Sequence, residues 1–209
     1  MRFGRRSRDE EVELDATEDV AEAENGRVFG PFDAGDVPDL DERDCIDLGS
    51  LLVTPAGPME MRLQVDEESG EVMAAVLLDD QGALELRAFA AARGGGSWEE
   101  LRPRISAETA RMGGTATEEE GVFGTELVCV VPMQTPEGQP ATQVTRISGH
   151  EGPNWLLRAT LMGQPAAEPV EGSAWEETIR SVVVRRGREA MAPGAPLKLA
   201  LPPDAQPVE

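Results

Sequence analysis

Residues 59–88 read MEMRLQVDEESGEVMAAVLLDDQGALELRA, and this stretch decides the fold. Met59, Met61, Leu63 and Val65 alternate with Glu60, Arg62, Gln64 and Asp66. That is the period of two which gives a strand one buried and one wetted face. Glu67-Glu68-Ser69-Gly70 turns the chain, and Val72, Ala74, Val76 and Leu78 continue as a more buried strand. Asp79-Asp80-Gln81-Gly82 turns it again, after which Leu84, Leu86 and Ala88 alternate with Glu85 and Arg87. Three such runs joined by short polar turns predict an antiparallel meander.

Working outward, Leu48 to Thr54 supplies a strand before the meander, and Gly94-Gly95-Gly96 ends it. Ser97-Trp98-Glu99-Glu100 then fits the S-x-x-E capping box, in which serine and glutamate satisfy orphan amides at a helix start. Trp98, Leu101, Ile105 and Met112 fall on one stripe of that helix, with Pro103 deep enough to kink it or delay its regular part. Strands resume at Phe123 to Val131, Thr142 to Ser148 and Trp155 to Met162, the last two joined by a turn over Gly149 to Asn154 that contains His150. A second box, Ser173-Ala174-Trp175-Glu176, opens a closing helix with the stripe Trp175, Ile179, Val182 and Val183. The order predicts an α+β domain over residues 28–202, with an antiparallel sheet of six or seven strands packed on two helices. All three tryptophans read as core.

The 209 residues carry 19 basic and 40 acidic side chains, a net charge of −21. Residues 1–44 hold 6 of the basic and 15 of the acidic groups. Such a field repels phosphate backbones and anionic lipid, which disfavours nucleic-acid and membrane partners. Acidic residues crowd the chain from Asp9 onward with few large apolar ones, which predicts a disordered charged arm over 1–27; residues 203–209 read as a flexible tail. The start, with Arg2, Arg5, Arg6 and Arg8, is followed by Asp9-Glu10-Glu11 where the apolar part of a signal peptide would begin. No apolar run approaches the roughly 20 residues of a membrane span. Cys45 and Cys129 match no metal or redox spacing and read as reduced, Cys129 in the core. A cytoplasmic protein is expected.

Catalytic equipment is sparse, with one histidine, two cysteines and one lysine in the whole chain. The glycine run lacks the spacing of a phosphate-binding loop, and Glu99 and Glu100 would repel an anion there. Asp33, Asp36, Asp39, Asp41 and Asp44 do not match the calcium-loop spacing. His150, in a turn, reads as solvated. No catalytic residue, cofactor or metal site is expected. Arg158 lies on the strand face opposite Trp155 and Leu157, so it is partly buried and needs a partner, for which Glu126 is the candidate. Arg180, Arg185, Arg186 and Arg188 form a basic cluster that reads as a solvated helix end, with docking of an acidic partner or of the chain's own arm as the alternative. The residues marked for interaction or a pocket are Glu126, Trp155, Arg158, Arg185 and Arg186.

The segments Gly30-Pro31-Phe32-Asp33, Leu48-Gly49-Ser50-Leu51, Leu86-Arg87-Ala88-Phe89-Ala90-Ala91, Gly124-Thr125-Glu126-Leu127 and Gly152-Pro153-Asn154-Trp155-Leu156-Leu157-Arg158 resemble the actinobacterial domain-of-unknown-function family 3710, over about Val28 to Pro202. The resemblance implies an actinobacterial cytoplasm and gene neighbourhoods with a dUTPase and a small nucleic-acid-binding fold; it transfers no catalytic residues. The strand and helix order also resembles the Mog1/PsbP type of fold, whose members mostly bind other proteins. The functional expectation is therefore a non-enzymatic interaction module for a protein partner. The alternative is a small-molecule or anion-binding protein, or an enzyme, with a pocket near Arg158 and a link to nucleotide metabolism.

Overall fold

A computed structural model describes residues 30–202. The expected arm over 1–27 and tail over 203–209 lie outside the described residues. Two sheets and three helices follow in the order β1 (Phe32–Asp33), β2 (Ile46–Asp47), β3 (Leu51–Val53), β4 (Glu60–Val65), β5 (Val72–Leu78), β6 (Gly82–Ala90), α1 (Ser97–Arg111), β7 (Thr115–Gly121), β8 (Gly124–Gln134), β9 (Pro140–Glu151), β10 (Trp155–Gly163), α2 (Gln164–Ala167), α3 (Ala174–Ser181) and β11 (Val183–Val184). The expected α+β class holds. The large sheet has seven strands in the order β4-β5-β6-β10-β9-β8-β7, every pair antiparallel.

The meander is present, with one correction of phase. Leu84 stands opposite Leu77 and Leu161, and Leu86 opposite Ala75 and Ala159, so Ala75 and Leu77 face the main core while Val76 and Leu78 take the other face. The run Met73-Ala74-Ala75-Val76-Leu77-Leu78 is apolar at every position, so alternation alone cannot say which half points inward. The strand expected at Leu48 to Thr54 leaves the large sheet altogether. Its centre is β3, inside a second sheet ordered β1-β11-β3-β2, where β1 runs parallel to β11. This small sheet and α3 cover one face of the large sheet, and the core between them includes Leu48, Leu51, Val53, Leu77, Leu84, Leu86, Trp155, Leu157, Trp175, Ile179, Val182 and Val184. Full burial of each such aliphatic side chain contributes about 1.5–3 kcal/mol. Val182 and Val183, expected on the helix stripe, lie just past the end of α3.

β7 was not foreseen, because Thr115-Ala116-Thr117-Glu118-Glu119-Glu120 has no apolar alternation. It is an edge strand, and charge on an edge discourages pairing with other chains. Here α1 packs against β7, β8 and β9 on the sheet's second face. Trp98 anchors it in a small cluster with Leu127, Cys129, Ile147 and Leu156, and the Trp98 indole N–H donates to the Thr125 carbonyl at 2.8 Å. Gly149 makes this seat, since a Cβ there would come within 2.3 Å of the Trp98 ring. The helix runs from Ser97 through Pro103 to Arg111. Met112, beyond its end, is 53 % exposed, and the buried position in the last turn is Thr109.

The start of α1 is not the expected local box. Gly96 caps it in the left-handed region, and the Glu151 carboxylate, at the end of β9, accepts the N–H groups of Gly96 and Trp98 at 3.0 Å each. An anion at a helix N-terminus satisfies orphan donors and complements the dipole. Glu151→Ala is expected to cost about 1 kcal/mol in urea unfolding, with Glu151→Gln costing less; an unchanged midpoint for the alanine variant would remove this role. The box on α3 forms in part: Ser173 Oγ accepts from the Glu176 N–H at 3.4 Å, while the Glu176 carboxylate accepts the N–H of Gly172, one residue before the cap, at 2.8 Å.

Candidate functional site

The marked residues separate into four places. Trp155 is at the junction of the two sheets, where its indole N–H donates to Asp33 Oδ2 at 2.7 Å. Asp33 Oδ1 also accepts the Gly35 N–H at 2.8 Å. Two of the segments that carried the resemblance, 30–33 and 152–158, thus meet. Beside them lies an open cleft of about 570 Å³ lined by Phe32, Val37, Pro38, Pro153 and Trp155, with Asp36 and Arg43 at its rim.

Glu126 and Arg158 do not meet. Residues 126 and 158 point to opposite faces of the large sheet, and each has another partner. On the core side, Glu126 is 3 % exposed and accepts from Arg146 Nη1 at 3.2 Å, while Arg146 Nη2 reaches Glu119 at 3.1 Å. Burial raises the Glu126 carboxyl above its usual range, against the lowering effect of Arg146. Ser148 and Glu176 line the same cavity of about 230 Å³.

His150 belongs to this side too. It sits in β9 rather than in a turn, half-buried instead of solvated, with Nε2 3.0 Å from Ser148 Oγ and its ring edge-on to Phe123 at 4.7 Å. Arg180 lies over the other ring of this stack, 5.1 Å from the Phe123 centroid. Burial first, and Arg180 second, push the His150 pKa down to about 4. A neutral imidazole beside a serine hydroxyl has the form of a base and nucleophile pair. Ser148 is buried, however, and its bond joins residues i and i+2 of one strand, which is how a core satisfies two polar groups.

Arg158 is on the second face. Its Nη2 donates to Glu85 Oε1 at 3.0 Å, and its guanidinium lies 5.7 Å from the centre of the Phe89 ring. Arg158 Nε is buried without a hydrogen-bond partner. The residue directly opposite Arg158 on β6 is Arg87, held by a bond from Nε to the Met73 carbonyl at 3.2 Å. Phe89, Leu101, Arg104, Leu156 and Arg158 line a groove of about 290 Å³ between α1 and the sheet. Arg87 escaped notice in the sequence because it stands at a regular polar position of an alternating strand; only the register sets it beside Arg158.

The basic cluster is not a helix end. Arg180 closes α3, but Arg185 and Arg186 follow β11. Arg185 Nη1 donates to both Asp47 carboxylate oxygens at 3.1 and 3.0 Å and to the Gly49 carbonyl at 3.0 Å, and Arg186 donates to the Glu189 carbonyl at 3.2 Å. Cys45 and Cys129 are free thiols, Cys129 buried. Among the described residues no three His, Cys, Asp or Glu side chains are placed to hold a metal ion, and no helix is long and apolar enough to cross a membrane.

These features define an α+β protein whose large sheet packs against the small sheet and α3 on one face and against α1 on the other. The chain belongs to the family described as Protein of unknown function (DUF3710), whose model matches residues 30–207. No curated protein and no solved structure matches it.

Proposed function

We propose that this chain is a non-enzymatic interaction module, and that a protein partner covers the open half of its large sheet by laying an amphipathic helix beside α1. The supporting observation is a mismatch of widths. Seven strands about 4.8 Å apart span roughly 29 Å, whereas one helix with its side chains is about 10–12 Å across. Since α1 rests on β7, β8 and β9 and reaches Leu156 of β10 through Trp98, the width of about three strands, roughly 14 Å, remains for a second helix. That strip carries half-buried Val76, Leu78, Phe89 and Met162 among Arg87, Arg158 and Glu85. Apolar anchors between guanidinium groups suit a helix with an acidic flank. Two free thiols fit a reducing cytoplasm.

The rival, an anion or small-molecule pocket at Arg158, draws support from the partnerless Nε. Glu85 already neutralises the same guanidinium, so a free anion gains less there than a helix that also covers the apolar strip.

The test is affinity purification of tagged full-length protein, comparing wild type with the double variant Val76→Glu, Met162→Glu. Burying an unpaired carboxylate in an interface costs more than about 1.4 kcal/mol, a factor of about ten in affinity. A stoichiometric partner lost by at least that factor, and crosslinked by a photoreactive residue placed at Val76, is the expected result. A partner that stays on the double variant would overturn this surface.

A further inference from the structure

We infer that β4, an edge strand of the large sheet, pairs with β4 of a second copy of this chain about a two-fold axis at Met61, joining two seven-stranded sheets into one. This surface is separate from the strip beside α1, and the inference stands without that reading.

The two edges of the sheet differ in charge. β4 and β7 end the strand order, so among the described residues each has a strand on one side only. β7 carries Glu118, Glu119 and Glu120 in succession and no basic residue, so self-pairing centred on them sets carboxylate against carboxylate. β4 reads Glu60-Met61-Arg62-Leu63-Gln64-Val65, with one acidic and one basic side chain two residues apart. Glu60 and Arg62 share a face, 57 % and 51 % exposed, and are joined at 2.9 Å. Met61 and Leu63 take the other face and pack against the main core. A chain of net charge −21 repels its copy except where the approaching surfaces are locally neutral, as this strand is.

Register decides which pairing is possible. A two-fold axis perpendicular to the sheet makes the two edge strands antiparallel and brings each residue and its partner together twice. Directly opposite residues share a face, so the axis must pass through a residue; a slip by one would set core-facing side chains against solvent-facing ones. An axis at Glu60 or at Arg62 places that charge against its own copy, and an axis at Leu63 places Glu60 against Asp66. An axis at Met61 places Glu60 opposite Arg62 and Arg62 opposite Glu60, with Met61 against Met61 and Leu63 against Met59. Four charges then alternate in sign on one face. On the other, Met59, Met61 and Leu63 extend a core against which each already packs.

This ladder also has natural ends. Its next pair is Gln64 with Pro58, which has no N–H to donate, and the register of β4 with β5 shifts between Gln64 and Val65. Pairing over 59–63 makes a small interface, so the expected dimer is a micromolar one and not an obligate one. Val76 and Leu78 stand opposite Arg62 and Glu60 on β5, so pairing brings the apolar strips of two copies onto one continuous face.

The test uses the full chain carrying Cys45→Ser, which leaves only the buried thiol of Cys129. Met61→Cys is expected to form an intermolecular disulfide under mild oxidation, because opposite residues of an antiparallel pair have Cα atoms about 4.5–5.5 Å apart, within disulfide reach. Leu63→Cys is expected to stay reduced, since residue 63 lies about 14 Å along the strand from its own copy. Sedimentation equilibrium of the chain without added cysteines, across the micromolar range, should show the mass rising from one chain toward two. Glu60→Arg or Arg62→Glu alone turns both cross-strand pairs repulsive and is expected to weaken the dimer about tenfold; the two together restore the alternation and bring the constant within about threefold of wild type. Both charges are exposed, and rescue by the double variant separates lost pairing from lost folding. A single-chain mass throughout, Leu63→Cys crosslinking as fast as Met61→Cys, or a dimer indifferent to the single reversals would each overturn the inference. Each of these results leaves the strip beside α1 to be judged by Val76 and Met162, so the two readings fail separately.

Discussion

Trp155→Ala is expected to lower the stability of this protein by about 3–5 kcal/mol, the range for emptying a fully buried large aromatic position. Domains of this kind are stable by about 5–15 kcal/mol in total, so the variant sits close to unfolding at room temperature. The magnitude follows from where the ring lies. Trp155 is 2 % exposed, within the core that joins the large sheet to the small one. A Cβ on Gly152 would come within 2.0 Å of its ring, so backbone and indole are in contact and cannot easily collapse into the vacated space.

Its N–H is also the direct tie to Asp33. Removing it leaves a carboxylate that keeps the Gly35 amide and loses its second donor. Trp155→Phe separates the two contributions, because it retains most of the ring while deleting the donor; a loss of about 1–2 kcal/mol is expected for it. Urea titration should show the midpoint moving with an unchanged slope. A loss under about 1 kcal/mol for the alanine variant would mean that the junction of 30–33 with 152–158 does not hold the sheets together.

The contrast between Trp155 and Arg158 shows how far the sequence was legible. A large aromatic residue opening the apolar run Trp155-Leu156-Leu157 is favoured for burial by its size, whichever face packs on the core. An arginine on the opposite face of the same strand must have a partner, and the sequence says only that one exists. Glu126 and Glu85 both sit on strands, and strand order, with β10 between β6 and β9, decides that Glu85 is the one within reach. The same step hides the Arg87 and Arg158 pairing, which belongs to register and not to composition.

Helix ends divide in the same way. Ser173 caps α3 locally, as read. Glu151 caps α1 from 53 residues away, and nothing near Ser97 records it. β7 illustrates the opposite limit: pairing with β8 makes it a strand despite a run of glutamates that no alternation would select. His150 was misplaced because glycine, proline and asparagine around it signal a turn, and the turn begins only at Gly152.

The burial of His150 has a measurable consequence for acid stability. Its pKa is pushed down to about 4 in the folded protein by burial and by Arg180, against about 6.5 in an unfolded chain. Between these values the unfolded state holds a proton that the folded state refuses. Stability therefore falls as pH drops from about 6.5 to about 4, by about 3 kcal/mol from this residue, and is unaffected by it above that window. Glu126 works in the other sense. Its carboxyl is raised by burial, so the folded state accepts that proton more readily than the unfolded chain, and this contribution stabilises the protein as pH falls and is lost as pH rises through the folded value. With so many other carboxylates titrating in the same range, the wild-type curve alone cannot assign the loss. The comparison with His150→Asn can, because asparagine keeps a polar group near Ser148 without a proton to gain. Urea unfolding at pH 7, 5.5 and 4.5 should show wild type losing more stability than the variant on acidification, the gap widening toward about 3 kcal/mol at the lowest pH. Parallel curves would mean that His150 is hydrated and titrates normally, and the stack of Phe123 on its ring would then not be what keeps it neutral.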